Sequence, residues 1–193
     1  MDIKEIELKL KEILPDRRLK HSLNVAKCAI ELSKIYNCDE NKAEIAGLVH
    51  DCAKYFNDKE VEECVEKYNI TLDELEKNNI ALSHSTIGAC VAKEEFNIND
   101  EDIINAIKYH TTGKENMSLL EKVIYMADLI EEGRNFPGVE ELRELTFEGK
   151  LDEALVLSFN NTIKFVINNN QLIHPRTVKA RNYILKKMQK AYK

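Results

Sequence analysis

The sequence predicts an all-α protein, built as one helical bundle. Apolar residues recur at steps of three and four along most of the 193 residues, which is the spacing of amphipathic helices. Runs of alternating apolar and polar residues, the pattern of half-buried strands, are hard to find. Six glycines and three prolines leave no linker, repeat or low-complexity segment. We therefore expect a single domain over residues 1–193.

Helical spacing begins close to the N-terminus. A first amphipathic helix is predicted over Ile3 to Ile13, and Pro15 ends it, because proline disrupts a helix interior. The second helix has an inward stripe that starts at His21, so this imidazole faces the core and not solvent. A third helix is predicted from Ala43 to Lys54, where Gly47 allows a neighbouring helix to come close.

The middle of the chain carries helix-start signals. A charged and peripheral helix is predicted over Asp58 to Tyr68. Capping boxes are indicated at Thr71–Glu74 and at Ser118–Glu121. Ser83 is expected to cap a helix that begins with His84, which would place that imidazole in the first turn.

The next two helices carry further polar residues on apolar stripes. His110 closes an inward stripe that begins at Ile103, and Gly113 is expected to end that helix. Asp128 lies on the helix that follows. Farther along, the helical pattern weakens and leaves two packing helices, Leu151 to Phe165 and Thr177 to Met188.

Charge and cysteine content bound the cellular role. Lysine and arginine number 28 against 34 acidic residues, so the formal net charge is −6, and a general nucleic-acid-binding surface is not expected. Five cysteines form no Cys-x-x-Cys pair, the first residues carry no apolar signal core, and no apolar run would span a membrane. These observations predict a cytoplasmic protein with reduced thiols. They leave a homodimer open.

The neighbouring His50 and Asp51 stand in an apolar run. A buried carboxylate must be paired, protonated or bound to a cation, and an adjacent imidazole completes a nitrogen and oxygen ligand pair for iron, manganese or zinc. The dipeptide alone is common, but more such ligands occur in order along the chain. The full predicted set is His21, His50, Asp51, His84, His110 and Asp128. Six ligands exceed the needs of one catalytic ion and suit two ions that share a carboxylate.

This order of residues resembles the HD superfamily of metal-dependent phosphohydrolases. The local sequences Arg18–Ala26, Gly47–Lys54, Tyr109–Gly113 and Tyr125–Glu131 look like its YqeK-type branch, the symmetrical bis(5'-nucleosyl)-tetraphosphatases. The resemblance covers about residues 17–183. It implies an HD-type helical bundle with a metal-site core at about 17–135 and C-terminal packing helices at about 139–191.

The resemblance also implies ligand roles and an activity. His21, His50, Asp51 and Asp128 would hold one ion. His84 and His110 would hold the second, with Asp51 as the bridge. The family implies iron, whereas the ligand set also accepts manganese or zinc. The implied reaction is symmetrical hydrolysis of diadenosine tetraphosphate to two ADP by a metal-activated water.

Several residues near these ligands are predicted to contact the substrate. Lys54 lies three and four residues after Asp51 and His50, and with Asp51 it is a predicted catalytic residue. The predicted substrate-binding residues are Arg18, Lys54, Thr111, Thr112, Gly113 and Arg134. A surface charge or a helix-ending turn is the alternative interpretation for each of them. His174 falls outside the ordered set and is assigned to structure or surface.

Other functions fit parts of the same pattern. A phosphatase that acts on mononucleotides or deoxynucleotides is the main alternative. A cyclic dinucleotide phosphodiesterase of the HD-GYP kind is disfavoured, because the chain has no Gly-Tyr-Pro triplet. A non-catalytic nucleotide sensor would be expected to have lost ligands, whereas this chain retains all of them.

Overall fold

In a computed structural model, which describes residues 1–77 and 79–191, the chain forms ten α-helices and no strand within those ranges. The all-α prediction is therefore confirmed. The helices are α1 (Ile3–Ile13), α2 (Asp16–Tyr36), α3 (Glu40–Val49), α4 (Asp58–Lys67), α5 (Ile80–Glu95), α6 (Glu101–Tyr109), α7 (Leu119–Ile130), α8 (Val139–Phe147), α9 (Leu151–Asn168) and α10 (Pro175–Ala191).

The close contact between α2 and α3 depends on a glycine, as predicted. A Cβ atom added to Gly47 would lie 2.7 Å from the Cα and 2.9 Å from the backbone nitrogen of Ala26. Such distances are too short for any side chain, so only glycine allows the two helices to approach this closely. The approach brings His21 on α2 to His50 after α3, with their ring centroids 5.3 Å apart.

α3 ends earlier than the sequence predicts. It stops at Val49, and the next residues form tight turns in which Cys52 N bonds Val49 O at 3.0 Å and Lys54 N bonds Asp51 O at 3.0 Å. The side chain of His50 contacts the Gly47 carbonyl at 2.7 Å, which competes with regular helical bonding. The predicted helix through Lys54 is therefore wrong, although Lys54 still reaches the same site.

The end of α6 follows a similar pattern. The helix stops at Tyr109, and the imidazole of His110 bonds the Ile107 carbonyl at 2.7 Å. Gly113 completes the turn with φ of 64°, which is strained for other residues, and its N–H bonds Tyr109 O at 2.8 Å. A Cβ atom on Gly113 would lie 2.7 Å from the ring of Phe159 on α9. The glycine therefore also allows α9 to pack against this turn.

Two of the predicted helix starts are wrong. α5 begins at Ile80 with Asn79 as its cap, so Ser83 lies inside the helix and His84 in its second turn. The reciprocal bonds predicted at Thr71–Glu74 form instead between Asp73 and Glu76, at 3.0 Å in both directions, and a turn follows them. The capping box at Ser118–Glu121 is confirmed.

The C-terminal third adds one helix that the sequence did not predict. This helix, α8, lies between α7 and α9, where the helical spacing of apolar residues is weak in the sequence. The helices α9 and α10 match the two predicted packing helices. Tyr125 on α7 packs against Phe159 on α9 with ring centroids 4.8 Å apart, which holds α9 beside the histidines. None of the described helices combines the length and the apolar character that crossing a membrane requires.

Candidate metal centre and cleft

Three of the predicted ligand imidazoles are oriented by backbone carbonyls of the preceding helical turn. The Nδ1 atoms of His50, His84 and His110 lie 2.7, 2.8 and 2.7 Å from carbonyl oxygens three or four residues earlier. A carbonyl oxygen only accepts, so each Nδ1 must carry the proton that it donates. The Nε2 atom of each neutral ring is then left with a free lone pair.

The fourth imidazole is oriented by a carboxylate. Nδ1 of His21 lies 3.1 Å from Oε1 of Glu131, and the Asn24 amide donates to Oε2 of Glu131 at 2.8 Å. Glu131 is only 3 % exposed. It was not among the predicted site residues, although Asn24 and Glu131 each lie three residues after a predicted ligand. That spacing, one turn along the same helix face, was the available signal.

All four Nε2 atoms face the two predicted carboxylates. Oδ1 of Asp51 lies 3.1 Å from Nε2 of His84 and 3.5 Å from Nε2 of His110. Oδ2 of Asp51 lies 3.5 Å from Nε2 of His50. The Nε2 atoms of His84 and His110 are themselves 3.1 Å apart. Asp51 thus lies between the histidines of α5 and α6 on one side and His50 on the other.

Asp128 closes the other end of the cluster. Its Oδ1 atom lies 2.9 Å from Nε2 of His21 and 3.7 Å from Nε2 of His50. The ligand atoms of His21, His50 and Asp51 all lie within 4.8 Å of one another, and the same holds for Asp51, His84 and His110. The structure therefore brings together all six predicted ligands, and Asp51 belongs to both groups.

Two atoms at the centre of the donor set lack hydrogen-bond partners in the part of the chain that the structure describes. Within the described residues, Nε2 of His50 and Oδ1 of Asp51 are buried and have no hydrogen-bond partner. Buried polar atoms without partners are costly, and here lone pairs of nitrogen face lone pairs of oxygen. A cation between them would satisfy both. Imidazole nitrogens with carboxylate oxygens therefore fit divalent metal ions.

The electrostatics of the cluster agree with this fit. Burial lowers the pKa of His84 to about 4, so its ring is neutral near pH 7. Burial also acts to raise the pKa of Asp51 and of Asp128, but the histidines that face them hold both pKa values well below the ordinary value. The burial of His50 acts to lower its pKa, yet Asp51 and Asp128 raise it. The two carboxylates thus attract positive charge to the centre of the cluster.

Three cationic side chains lie directly against the cluster. Nη1 of Arg18 donates to Oδ2 of Asp51 at 2.6 Å. Nε of Arg134 donates to the Asp128 carbonyl at 2.7 Å, and its Nη2 contacts the Asp128 carboxylate. Nζ of Lys54 lies 3.2 Å from Nε2 of His84. Each is one of the predicted substrate residues.

These groups line a cleft of about 380 Å³. The residues around it are Arg18, Asp51, Lys54, His84, His110, Thr111, Tyr125, Asp128, Leu129, Arg134 and Thr162. Of these, sequence analysis did not single out Tyr125, Leu129 and Thr162. Thr162 lies on α9, far along the chain from the ligands, so only the tertiary contact of α9 with α7 reveals it.

Thr111 lines this cleft, whereas the predicted substrate residues Thr112 and Gly113 are not among its lining residues. The hydroxyl of Thr111 lies 3.4 Å from Nε2 of His84 and 3.3 Å from Nε2 of His110, at the cleft wall. Thr112 instead is 2 % exposed and donates to the Gly113 carbonyl at 3.0 Å. Gly113 packs against Phe159. Neither Thr112 nor Gly113 is among the residues that line the cleft, and their role in substrate binding stays a prediction.

His174 lies in a separate contact, as its position outside the ordered set suggested. Its Nε2 atom lies 2.8 Å from Oδ2 of Asp73, and the Arg176 backbone N–H donates to its Nδ1 at 3.1 Å. The Arg176 guanidinium also contacts Asp73 and Glu76, at 3.3 and 3.4 Å. The contact connects the start of α10 to the turn before α5, and Arg176 pairs with both carboxylates.

Known proteins resemble this chain over most of its length. The family model "HD domain" matches residues 18–133. A symmetrical bis(5'-nucleosyl)-tetraphosphatase of Staphylococcus aureus is 38 % identical over 184 residues, which cover 95 % of this chain and 94 % of that protein. One of Bacillus subtilis with the same name is 40 % identical over 176 residues, covering 91 % and 94 %.

A solved structure matches as well. It is the crystal structure of a protein from Clostridium acetobutylicum, described as a predicted HD superfamily hydrolase involved in NAD metabolism. The two chains are 46 % identical and superpose with a TM-score of 0.92 over 97 % of this chain and 98 % of the other. The similarity therefore covers the arrangement of helices over nearly the whole of both chains.

Proposed function

The chain belongs to the HD domain family, and on that premise we propose that it is a metal-dependent phosphohydrolase that cleaves diadenosine tetraphosphate symmetrically into two ADP. The observation that carries the hydrolase assignment is the meeting of four imidazole nitrogens with two carboxylates at a cleft. The dinucleotide substrate is supported by the names of the bacterial relatives, which match over nearly the whole chain.

We further propose that the cluster holds two metal ions per chain. His21, His50, Asp51 and Asp128 would hold one, and His84 and His110 the other, with Asp51 as the shared ligand. Bound divalent ions would supply a nucleophilic water at neutral pH and offset phosphate charge. Iron is proposed from the family resemblance, and manganese or zinc would suit the same ligands.

The residues of the chain have separate tasks in this proposal. The backbone carbonyls and Glu131 fix the four rings, so that their Nε2 atoms point to one place without reorganisation. Arg18, Lys54 and Arg134 carry the positive charge that a polyphosphate needs, and each already lies within hydrogen-bond distance of the cluster. Fixed cations beside a phosphoryl group stabilise the charge that develops during transfer.

A product assay tests the proposed reaction. Purified protein incubated with diadenosine tetraphosphate should yield ADP alone, because water that attacks one central phosphorus and expels the oxygen shared with the other central phosphorus leaves one ADP on each side of the broken bond. Equal amounts of AMP and ATP would show asymmetric attack and contradict the proposal. Release of phosphate from mononucleotides, with the dinucleotide left intact, would support the alternative phosphatase. Binding without any turnover would support a nucleotide sensor.

Replacing Glu131 by Gln should weaken metal binding about 10- to 100-fold, the usual cost of losing a carboxylate that orients a ligand histidine. The amide retains the size of the side chain but loses the charge that holds His21 and Asn24 together. Chelator competition on the purified variant would measure the change. Glu132→Gln is the matched control, because that neighbouring side chain is 63 % exposed and pairs with Lys27 at 3.4 Å. Equal metal affinity in both variants would contradict the orienting role.

A further inference from the structure

The cleft has a charged side and an uncharged side. Its three cationic residues, Arg18, Lys54 and Arg134, all contact members of the metal-ligand cluster. Apart from Thr111 and the proposed metal ligands, the remaining wall consists of Tyr125 and Leu129 on α7 and Thr162 on α9. No charged group belongs to this second wall. A ligand that joins phosphates to an uncharged ring system would match the two sides in one orientation only.

The uncharged wall lies partly outside the region that defines the family. The HD domain model matches residues 18–133, whereas Thr162 is contributed by α9. Two contacts hold α9 in this place: the ring of Phe159 packs on Tyr125 with centroids 4.8 Å apart, and Phe159 also fills the space that the missing side chain of Gly113 leaves. The wall is therefore a fixed part of the cleft.

We propose that the wall formed by Tyr125, Leu129 and Thr162 binds the nucleoside of one half of the substrate, an inference that rests on the proposed function. The methyl groups of Leu129 offer an apolar surface to the sugar or base. The Thr162 hydroxyl is hydrogen-bonded to the Tyr125 hydroxyl. Because a hydroxyl can both donate and accept, it can still bond a ribose hydroxyl. At about 380 Å³ the cleft lies near the lower end of small-molecule sites, ~300–1,000 Å³, and fits one half of a dinucleotide.

Another aromatic residue lies near the cleft but is a weaker choice. Tyr55 is 52 % exposed, and the Arg18 guanidinium lies 5.8 Å from the centre of its ring. An exposed tyrosine can stack on a base. Tyr55 is not among the residues that line the cleft, whereas Arg18 lines it and contacts Asp51. It therefore serves as the competing location in the test.

Equilibrium binding measurements distinguish the contribution of the nucleoside to affinity from that of the phosphates. Titration calorimetry of the protein, purified with its metal, compares ADP with inorganic pyrophosphate as ligands. Thr162→Val keeps the shape of the side chain and removes its hydroxyl, whereas Thr162→Ser keeps the hydroxyl. We expect Thr162→Val to weaken ADP binding roughly 3- to 10-fold, the effect of one lost hydrogen bond. Pyrophosphate binding should stay unchanged, and Thr162→Ser should bind ADP nearly as well as the parent protein.

Three results would overturn the inference. ADP affinity could be unchanged in Thr162→Val, or ADP and pyrophosphate could lose affinity equally, which would indicate a displaced α9. The third is a selective loss of ADP affinity in Tyr55→Ala together with none in Thr162→Val, which would place the nucleoside on the other side of Arg18. Failure of the parent protein to hydrolyse diadenosine tetraphosphate would contradict the proposed function separately, because the two binding measurements do not depend on turnover.

Discussion

Asp51→Asn is expected to abolish nearly all hydrolysis and to remove at least one metal ion per chain. Asp51 belongs to both groups of ligand atoms, and its two oxygens face histidines from three different parts of the chain. An amide retains the volume of the side chain but offers one neutral oxygen in place of two charged ones. Loss of a residue that merely orients a ligand costs about 10- to 100-fold, so loss of the shared ligand should cost more.

Elemental analysis and the product assay on the same preparation would check this expectation. Parent protein purified without chelator should contain about two ions per chain if both proposed sites are filled. Asp73→Asn is a matched control, because Asp73 also contacts a histidine and an arginine, at 2.8 and 3.3 Å, but outside the cleft. A parent protein without metal, even after anaerobic reconstitution with iron or manganese, would contradict the two-metal site. So would full activity in Asp51→Asn.

The order and spacing of the ligands could be predicted because helical periodicity is a local property. His21 lies on the inward stripe of α2, as its spacing from the next apolar residues indicates, and its place in the cluster follows. The close approach at Gly47 could be predicted for the same reason. One residue type at one position of a helix decides how near the next helix can lie.

The ends of α3 and α6 could not be predicted from periodicity, because side-chain chemistry decides them. His50 and His110 each bond a carbonyl three residues earlier, and both helices stop just before these histidines. At these two positions the bond that directs Nε2 toward the carboxylates coincides with the end of the helix, whereas the same kind of bond from His84 lies inside α5. An apolar stripe that continues past a ligand histidine gives no sign of this interruption.

The substrate side of the cleft depends on contacts between distant parts of the chain. Thr162 has no motif around it, and it reaches the cleft only because α9 packs on Tyr125 through Phe159. The division into a metal-site core at about 17–135 and packing helices at about 139–191 remains a prediction. Thr162 comes from the second part, so in the folded protein the two parts build one cleft.

Lys54→Met is expected to reduce kcat/KM by a factor on the order of 10²–10³, the usual effect of removing one preorganised charge that acts in the transition state. Nζ of Lys54 lies 3.2 Å from Nε2 of His84, whose Nδ1 proton is donated to the Ile80 carbonyl at 2.8 Å. In this arrangement Lys54 donates to the nitrogen that we propose as a metal ligand. A metal ion on that nitrogen would release the ammonium for the phosphate.

Charge balance supports an anion as the partner of Lys54. Burial lowers the pKa of Lys54, with Arg18 and Arg134 acting in the same direction and Asp51 and Asp128 opposing them. A cation beside two arginines is stabilised when a polyphosphate arrives, because opposite charge favours the protonated form. Lys54→Met retains the apolar stem and removes only the charge, so metal content and Tm should stay near those of the parent protein while kcat/KM falls.

The matched control for this variant is Lys20→Met. Lys20 is exposed and lies next to His21 in sequence. Its replacement by Met removes the same net charge from the protein as Lys54→Met does. If the two lysines act only by attracting the anionic substrate in general, both variants should have a lower kcat/KM. The difference from the parent protein should then shrink with added salt. A contact with the phosphoryl group would lower it only in Lys54→Met. Loss of metal or of Tm in Lys54→Met would instead make Lys54 a structural partner of His84, and normal hydrolysis would contradict any role in the reaction.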